Sequence, residues 1–155
     1  SDFKKLTLYA ARLQDIANAW SLLVAANGQM AYNNLLGAEQ FSFGGEPFGR
    51  GYDPSELVGD SGIAFKFEPR YSNTLKQSFA RGYTVYGYYD IGKVWRRDAQ
   101  DQKKSESAAA VGLGLRLTMN HGYSGFIEFA KPTTHVVENQ GDDGARIFAG
   151  LSKRF

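Results

Sequence analysis

Apolar and polar positions alternate along most of this chain, and the alternation is cleanest at 62–71. Ile63, Phe65, Phe67, Pro69 and Tyr71 fall on one face; Gly62, Ala64, Lys66, Glu68 and Arg70 fall on the other. A period of two predicts β-strands, whose successive side chains point to opposite faces. Seven segments read this way: Lys5 to Gln14, Trp20 to Tyr32, Gly62 to Tyr71, Tyr83 to Trp95, Ala108 to Thr118, Tyr123 to Lys131 and Arg146 to Phe155. In the fifth, Val111, Leu113, Leu115 and Leu117 oppose Gly112, Gly114, Arg116 and Thr118. In the seventh, Ile147, Ala149, Leu151 and Phe155 oppose Arg146, Gly150, Ser152 and Arg154. Most segments run to about ten residues or more, enough to cross a bilayer at a tilt. Soluble strands are nearer five or six residues, as an order of magnitude.

The connections alternate as well. Those near Asp15 to Ala19 and Met119 to Gly122 are short, and Ser72 to Gly82 is intermediate. Those near Asn33 to Ser61, Arg96 to Ser107 and Pro132 to Ala145 are long and polar. Up-and-down threading puts all the long connections on one side, which is the pattern of outer-membrane barrels. The same parity places Trp20, Tyr71, Tyr83, Tyr123 and Phe155 at the short-turn boundary and Trp95 and Tyr32 at the other. Aromatic belts at both strand ends match two lipid–water interfaces. The competing architecture is a soluble β-sandwich with exposed aromatics. Strand length, loop asymmetry and belts together favour an all-β, antiparallel transmembrane barrel segment, with apolar side chains toward lipid and charged ones toward a wet lumen.

Composition narrows the function. No apolar run approaches the length of a membrane helix, and negative mean hydropathy does not exclude a barrel, where only every second residue need be apolar. Gly 18, Tyr 9 and Phe 11 favour strands, turns and belts. Cys 0 suits a setting where a lone thiol is a liability, and is common elsewhere too. A net charge of +2 with no basic run gives no footing for nucleic acid. Asp98, Asp101, Asp142 and Asp143 lie in long loops without calcium-loop spacing, so they read as solvated charges. His121 and His135 are too few and too poorly placed for a metal centre or a catalytic triad. No glycine-rich phosphate loop opens a helix. The expectation is no enzyme, no cofactor and no metal. Glu128 and Arg116 read as one rung of a lumen charge ladder, with Arg146 or Arg154 beside it.

The longest loop carries the densest signal. Phe43-Gly44-Gly45-Glu46-Pro47-Phe48-Gly49-Arg50-Gly51-Tyr52 is rich in glycine and aromatics around a single arginine, and Gly59-Asp60-Ser61-Gly62 follows it. On the residues alone, Arg50 is an exposed loop arginine and Asp90 a solvated lumen charge, since most charges are solvated. The ordered motifs change this. Gly49-Arg50-Gly51-Tyr52, Phe67-Glu68-Pro69-Arg70-Tyr71, Tyr88-Tyr89-Asp90-Ile91-Gly92 and the ending Gly150-Leu151-Ser152-Lys153-Arg154-Phe155 stand in the order and spacing of a known family. The chain resembles the C-terminal barrel of two-partner secretion transporters of the hemolysin-activator type (ShlB, FhaC, HecB), relatives of the BamA-like barrels, from about Leu6 to Phe155. Gly49 stands where valine is usual, Pro69 where a leucine-like residue is usual, Tyr88 at a usual Phe or Gly, and Lys153 at an apolar position.

The resemblance implies a loop, at about 33–61, that folds back into the barrel as a lid. Its arginine would reach the strand-motif aspartate, pairing Arg50 with Asp90; Tyr86, Tyr88, Asp90 and Gly92 share the lumen face. Glu68 is the second candidate partner, Gly49 and Gly51 let the backbone approach the wall, and Tyr52 packs beside Tyr88 or Tyr86. Phe155 would close an outer-membrane assembly signal. The family builds a barrel of about sixteen strands, preceded by periplasmic POTRA domains and a plug helix. Residues 1–155 would then be its C-terminal portion, with the POTRA domains and earlier strands belonging to a parent. The implied function is export of a partner polypeptide of hemolysin or adhesin type across the outer membrane of a Gram-negative bacterium. Lipid and the outer-membrane assembly machinery are the further partners, and nucleic acid is not one. The alternatives are assembly of other outer-membrane proteins and a small structural or adhesive barrel.

Overall fold

A computed structural model describes residues 3–98, 103–134 and 144–155. Seven long strands form one antiparallel sheet: β1 (Lys5–Ala17), β2 (Trp20–Ala31), β5 (Ser61–Thr74), β6 (Ala80–Trp95), β7 (Ser105–Met119), β8 (Tyr123–Pro132) and β9 (Arg146–Lys153). Their order in space is their order in the chain, β1-β2-β5-β6-β7-β8-β9. The fold is the expected all-β meander, an open segment of barrel wall with β1 and β9 at its edges. Strands can span a membrane although no helix of the described residues is long and apolar enough to do so.

Two features extend the sequence reading. Several strands outrun their apolar stretch: β1 continues to Ala17, β5 to Thr74, β6 begins at Ala80 and β7 at Ser105, while β9 stops at Lys153. The ladder is made by backbone groups, so pairing proceeds through polar residues that give no hydrophobic period. The second is a small antiparallel pair inside the long loop, β3 (Phe41–Phe43) and β4 (Leu57–Gly59), with Phe41 facing Gly59 and Phe43 facing Leu57. Three residues a side are too few to show a period in the sequence.

The burial of the sheet is reversed relative to a soluble protein. On β5 the apolar Ile63, Phe65 and Phe67 are exposed, while Lys66 and Glu68 are buried at 7% and 1%. On β6 Tyr89 and Ile91 are exposed, while Asp90 is 0% exposed. Charged residues are almost never fully buried in soluble folds unless paired. Here they are buried because the long loop folds over the face that carries them. At the short-turn end, Trp20 and Tyr71 stack edge-on at 5.1 Å and Tyr71 meets Tyr83 at 6.3 Å, so the expected aromatic belt is continuous across three strands.

Candidate functional site

The site is the seat of the long loop on the inner wall. Its stem is the β3–β4 pair. Phe41, Phe43 and Leu57 are buried together with Phe48 and Tyr52 against Ala25, Ala64, Val94, Ala108 and Ala110 of the wall. Small wall residues make this possible. A Cβ at Gly92 would lie 2.2 Å from the Phe43 ring, and one at Gly62 would lie 2.0 Å from the Phe41 ring. Gly92 is therefore a seat for an aromatic side chain. The stem is also tied from outside: the Asp60 carboxylate accepts from the N–H of Leu35 and of Arg97, both at 2.8 Å. Arg96 Nε donates to the Val58 carbonyl at 2.8 Å. Burial alone would raise the Asp60 pKa, but the Arg97 and Leu35 N–H groups and Gln40 outweigh it and hold the carboxyl below its usual range.

The loop tip carries Arg50. Gly49 takes φ 97, a left-handed conformation open to glycine and strained for valine, which accounts for glycine at this position. Gly51 lies flat on the wall, where a Cβ would sit 2.8 Å from the Ala110 side chain and 3.1 Å from the Pro132 nitrogen. Held between them, Arg50 meets two carboxylates. Its Nε and Nη2 donate to Asp90 Oδ2 and Oδ1 at 3.0 and 2.9 Å, and its Nη1 donates to Glu68 Oε2 at 2.6 Å. The backbone N–H groups of Gly49 and Arg50 add bonds of 3.1 Å each to Asp90 Oδ2. The guanidinium lies 3.5 Å from the centroid of the Tyr88 ring. Arg50, Glu68 and Asp90 are 3%, 1% and 0% exposed. Burial disfavours the Arg50 charge, but Asp90 and then Glu68 overcome it, so its pKa is raised and the group stays cationic.

The expected contacts of Arg50 with Asp90 and Glu68 are thus both present. Tyr88 lies beneath the guanidinium. Tyr52 lines the same cleft as Tyr86, packs against Phe43 at 6.1 Å and donates to the Ala109 carbonyl at 2.8 Å. Arg116, Glu128 and Arg146 line one space on the inner face, as the expected charge ladder has it, but the hydrogen bonds of Glu128 come from tyrosines. Glu128 accepts from Tyr86 at 2.5 Å and from Tyr88 at 3.2 Å, while Arg116 lies 4.0 Å from the Tyr86 ring centroid and 3.5 Å from Glu68. The two tyrosines reach Glu128 by lying over Gly114 and Gly112, where a Cβ would come within 2.1 and 2.3 Å of their rings. A Tyr-x-Tyr strand facing a Gly-x-Gly strand is the sequence signal of this arrangement. Arg146 pairs with Asp53 of the loop at 2.7 Å. Phe155 is fully exposed beyond β9. Among the described residues no acidic or histidine cluster could hold a metal. Asp98 is exposed, and Asp101, His135, Asp142 and Asp143 lie outside the described residues.

A strand meander with apolar residues outward, buried charge inward and a loop folded onto the inner face defines the class: a wall segment of an outer-membrane-type barrel with a lid. The sequence model of the haemolysin secretion/activation protein family ShlB/FhaC/HecB matches residues 1–117, well over half of the chain. The chain belongs to this family, whose members are two-partner secretion transporters of the Gram-negative outer membrane. The match spans Arg50, Glu68, Asp90 and Gly92 and ends before β8, β9 and Phe155. No curated protein and no solved structure matches the chain.

Proposed function

We propose that this protein exports a partner polypeptide of hemolysin or adhesin type through the lumen bounded by this wall, and that the Arg50 loop is the lid held shut at Asp90 and Glu68. One observation carries the reading: a buried guanidinium at a loop tip lies between two buried carboxylates on neighbouring strands. A buried ion pair is a poor stabiliser, because stripping water from both charges offsets most of their attraction. In a water-filled lumen the balance is different. Once the tip lifts, water hydrates both partners again, so the contact can open without stranding a charge in a dry core. It is suited to a closure that must be both specific and reversible.

The apolar outer face takes lipid as its surroundings, and the last strand with Phe155 is the segment the assembly machinery reads. The transport function requires no catalysis and no cofactor of the protein. The test is Arg50→Ala in the intact protein, with export of the partner and the amount of assembled barrel measured in the same cells. Export is expected to fall far more than assembly. Equal losses of the two would make Arg50 a folding residue and remove the latch.

A further inference from the structure

The lid does not fill all the space between its tip and the last two strands. A cleft of about 470 Å³ remains there, within the roughly 300–1,000 Å³ range of ligand-binding clefts. Phe126 and Phe148 line it from the inner face, facing Arg116 and Glu128 across their ladders. They are 43% and 39% exposed. Two large apolar side chains thus stand on the face that carries Arg116 and Glu128, and no described loop residue covers them fully. Arg146 lines the same cleft. Its Nη1 is fixed to Asp53, and its side chain is only 12% exposed. Its Nε and Nη2 are buried with no hydrogen-bond partner among the described residues. Buried guanidinium donors left unbonded are costly and call for an acceptor.

The other buried charges of the cleft are already committed, and Arg116 and the exposed Glu46 face Glu68 and Lys66. Arg50 is bonded to Asp90 and Glu68, and Glu128 accepts from two tyrosines. What remains is a pair of donors on a fixed guanidinium beside two bare aromatic faces. A small inorganic anion would use the donors and leave the rings uncovered. An apolar ligand would do the reverse. An extended peptide has both parts at the right scale: a carbonyl or carboxylate for Arg146 and an apolar or aromatic side chain for the two phenylalanines.

We infer that this cleft is a docking site for the exported polypeptide in transit, which seats an apolar side chain against Phe126 and Phe148 and gives an oxygen to Arg146. The inference rests on the export function and adds a place of contact beside the lid. Because Arg146 also holds Asp53 of the lid, an occupant is felt at the lid through one side chain.

The test uses the intact protein in cells that export its partner. A photo-crosslinking residue is placed as Phe148→p-benzoylphenylalanine, and separately as Phe126→p-benzoylphenylalanine in case the first variant does not assemble. Illumination during export is expected to give an adduct with the exported polypeptide. In addition, Arg146→Lys, which keeps a cation for Asp53 and loses the two spare donors, is expected to lower export by about tenfold at unchanged barrel assembly. Adducts only within the protein's own chain, in cells exporting normally, would overturn the docking site and leave the export function standing. Export that continues when the protein is deleted would overturn the function, and the docking site with it.

Discussion

The lid meets the wall in two regions built on opposite chemistry. At the stem, Phe41, Phe43 and Leu57 lie on alanines and glycines and bring little charge. At the tip, one guanidinium lies between two carboxylates and on a tyrosine ring. The stem contact is non-directional, and each fully buried side chain of this size contributes about 1.5–3 kcal/mol. Opening it exposes apolar surface to water, which is unfavourable whatever fills the lumen. The tip contact is directional and is offset by dehydration, so water competes with it directly. On the proposed lid function, the stem is the anchor and the tip the release point. Local opening is expected to begin at Arg50 and to stop at the β3–β4 pair.

The largest effect that tests this contrast is Phe43→Ala. Emptying the seat over Gly92 is expected to cost about 3–5 kcal/mol. The amides paired between Phe41–Phe43 and Leu57–Gly59 should then lose most of their protection against hydrogen exchange. Arg50→Ala comes next. It is expected to cost about 3 kcal/mol, at the low end for a broken buried pair because lumen water reaches the carboxylates left behind. Hydrogen exchange should quicken at Gly49 and Arg50→Ala itself should leave the β3–β4 amides protected. Loss of protection at both places in this variant would make stem and tip one cooperative unit and end the distinction.

How much of this was legible in the sequence follows the same division. The wall was, because alternation of Ile63 to Tyr71 and Val111 to Leu117 survives in any antiparallel sheet with two different faces. The partners of Arg50 were reached through motif order and strand parity, which put Asp90 and Glu68 on the inner face. The stem was missed because Phe41-Ser42-Phe43 and Leu57-Val58-Gly59 are three-residue strands, too short for a period to show. Strand parity places Glu128 and Arg116 on one charged face but does not say which group bonds Glu128. The tyrosine contacts depend on register, with Tyr86 opposite Gly114 and Gly114 opposite Glu128, which becomes visible only once strands are paired. Phe126 and Phe148 went unremarked because the aliphatic residues of β8 and β9 already supplied an apolar face.

A smaller change tests the geometry of the tip alone. Arg50→Lys keeps the charge and removes the planar fork that grips Asp90 through Nε and Nη2 and Glu68 through Nη1. A point charge holds one such partner well, so a loss of about 1–2 kcal/mol is expected, the net worth of one or two hydrogen bonds. Export should be impaired, though less than by Arg50→Ala. Normal export by Arg50→Lys would mean that charge, not bidentate geometry, holds the tip.

The smallest expected effect belongs to the stem and separates it from the tip by pH. Asp60, at the exit of the lid, ties its entry at Leu35 and the wall end at Arg97 through its ionised carboxylate, and its pKa lies below the usual value. A carboxyl whose folded pKa is depressed stabilises the fold above its unfolded pKa, about 3.9, and that contribution disappears as pH falls through the lower folded value. Stem amides, corrected for intrinsic exchange, should keep their protection from pH 7 down to about 4 and lose part of it below. Asp60→Asn lacks the titrating group. It should therefore start less protected at pH 7 and fall less steeply in acid than the native chain. An equally steep fall in both would assign the acid sensitivity to other carboxylates and leave Asp60 a spacer instead of a tie.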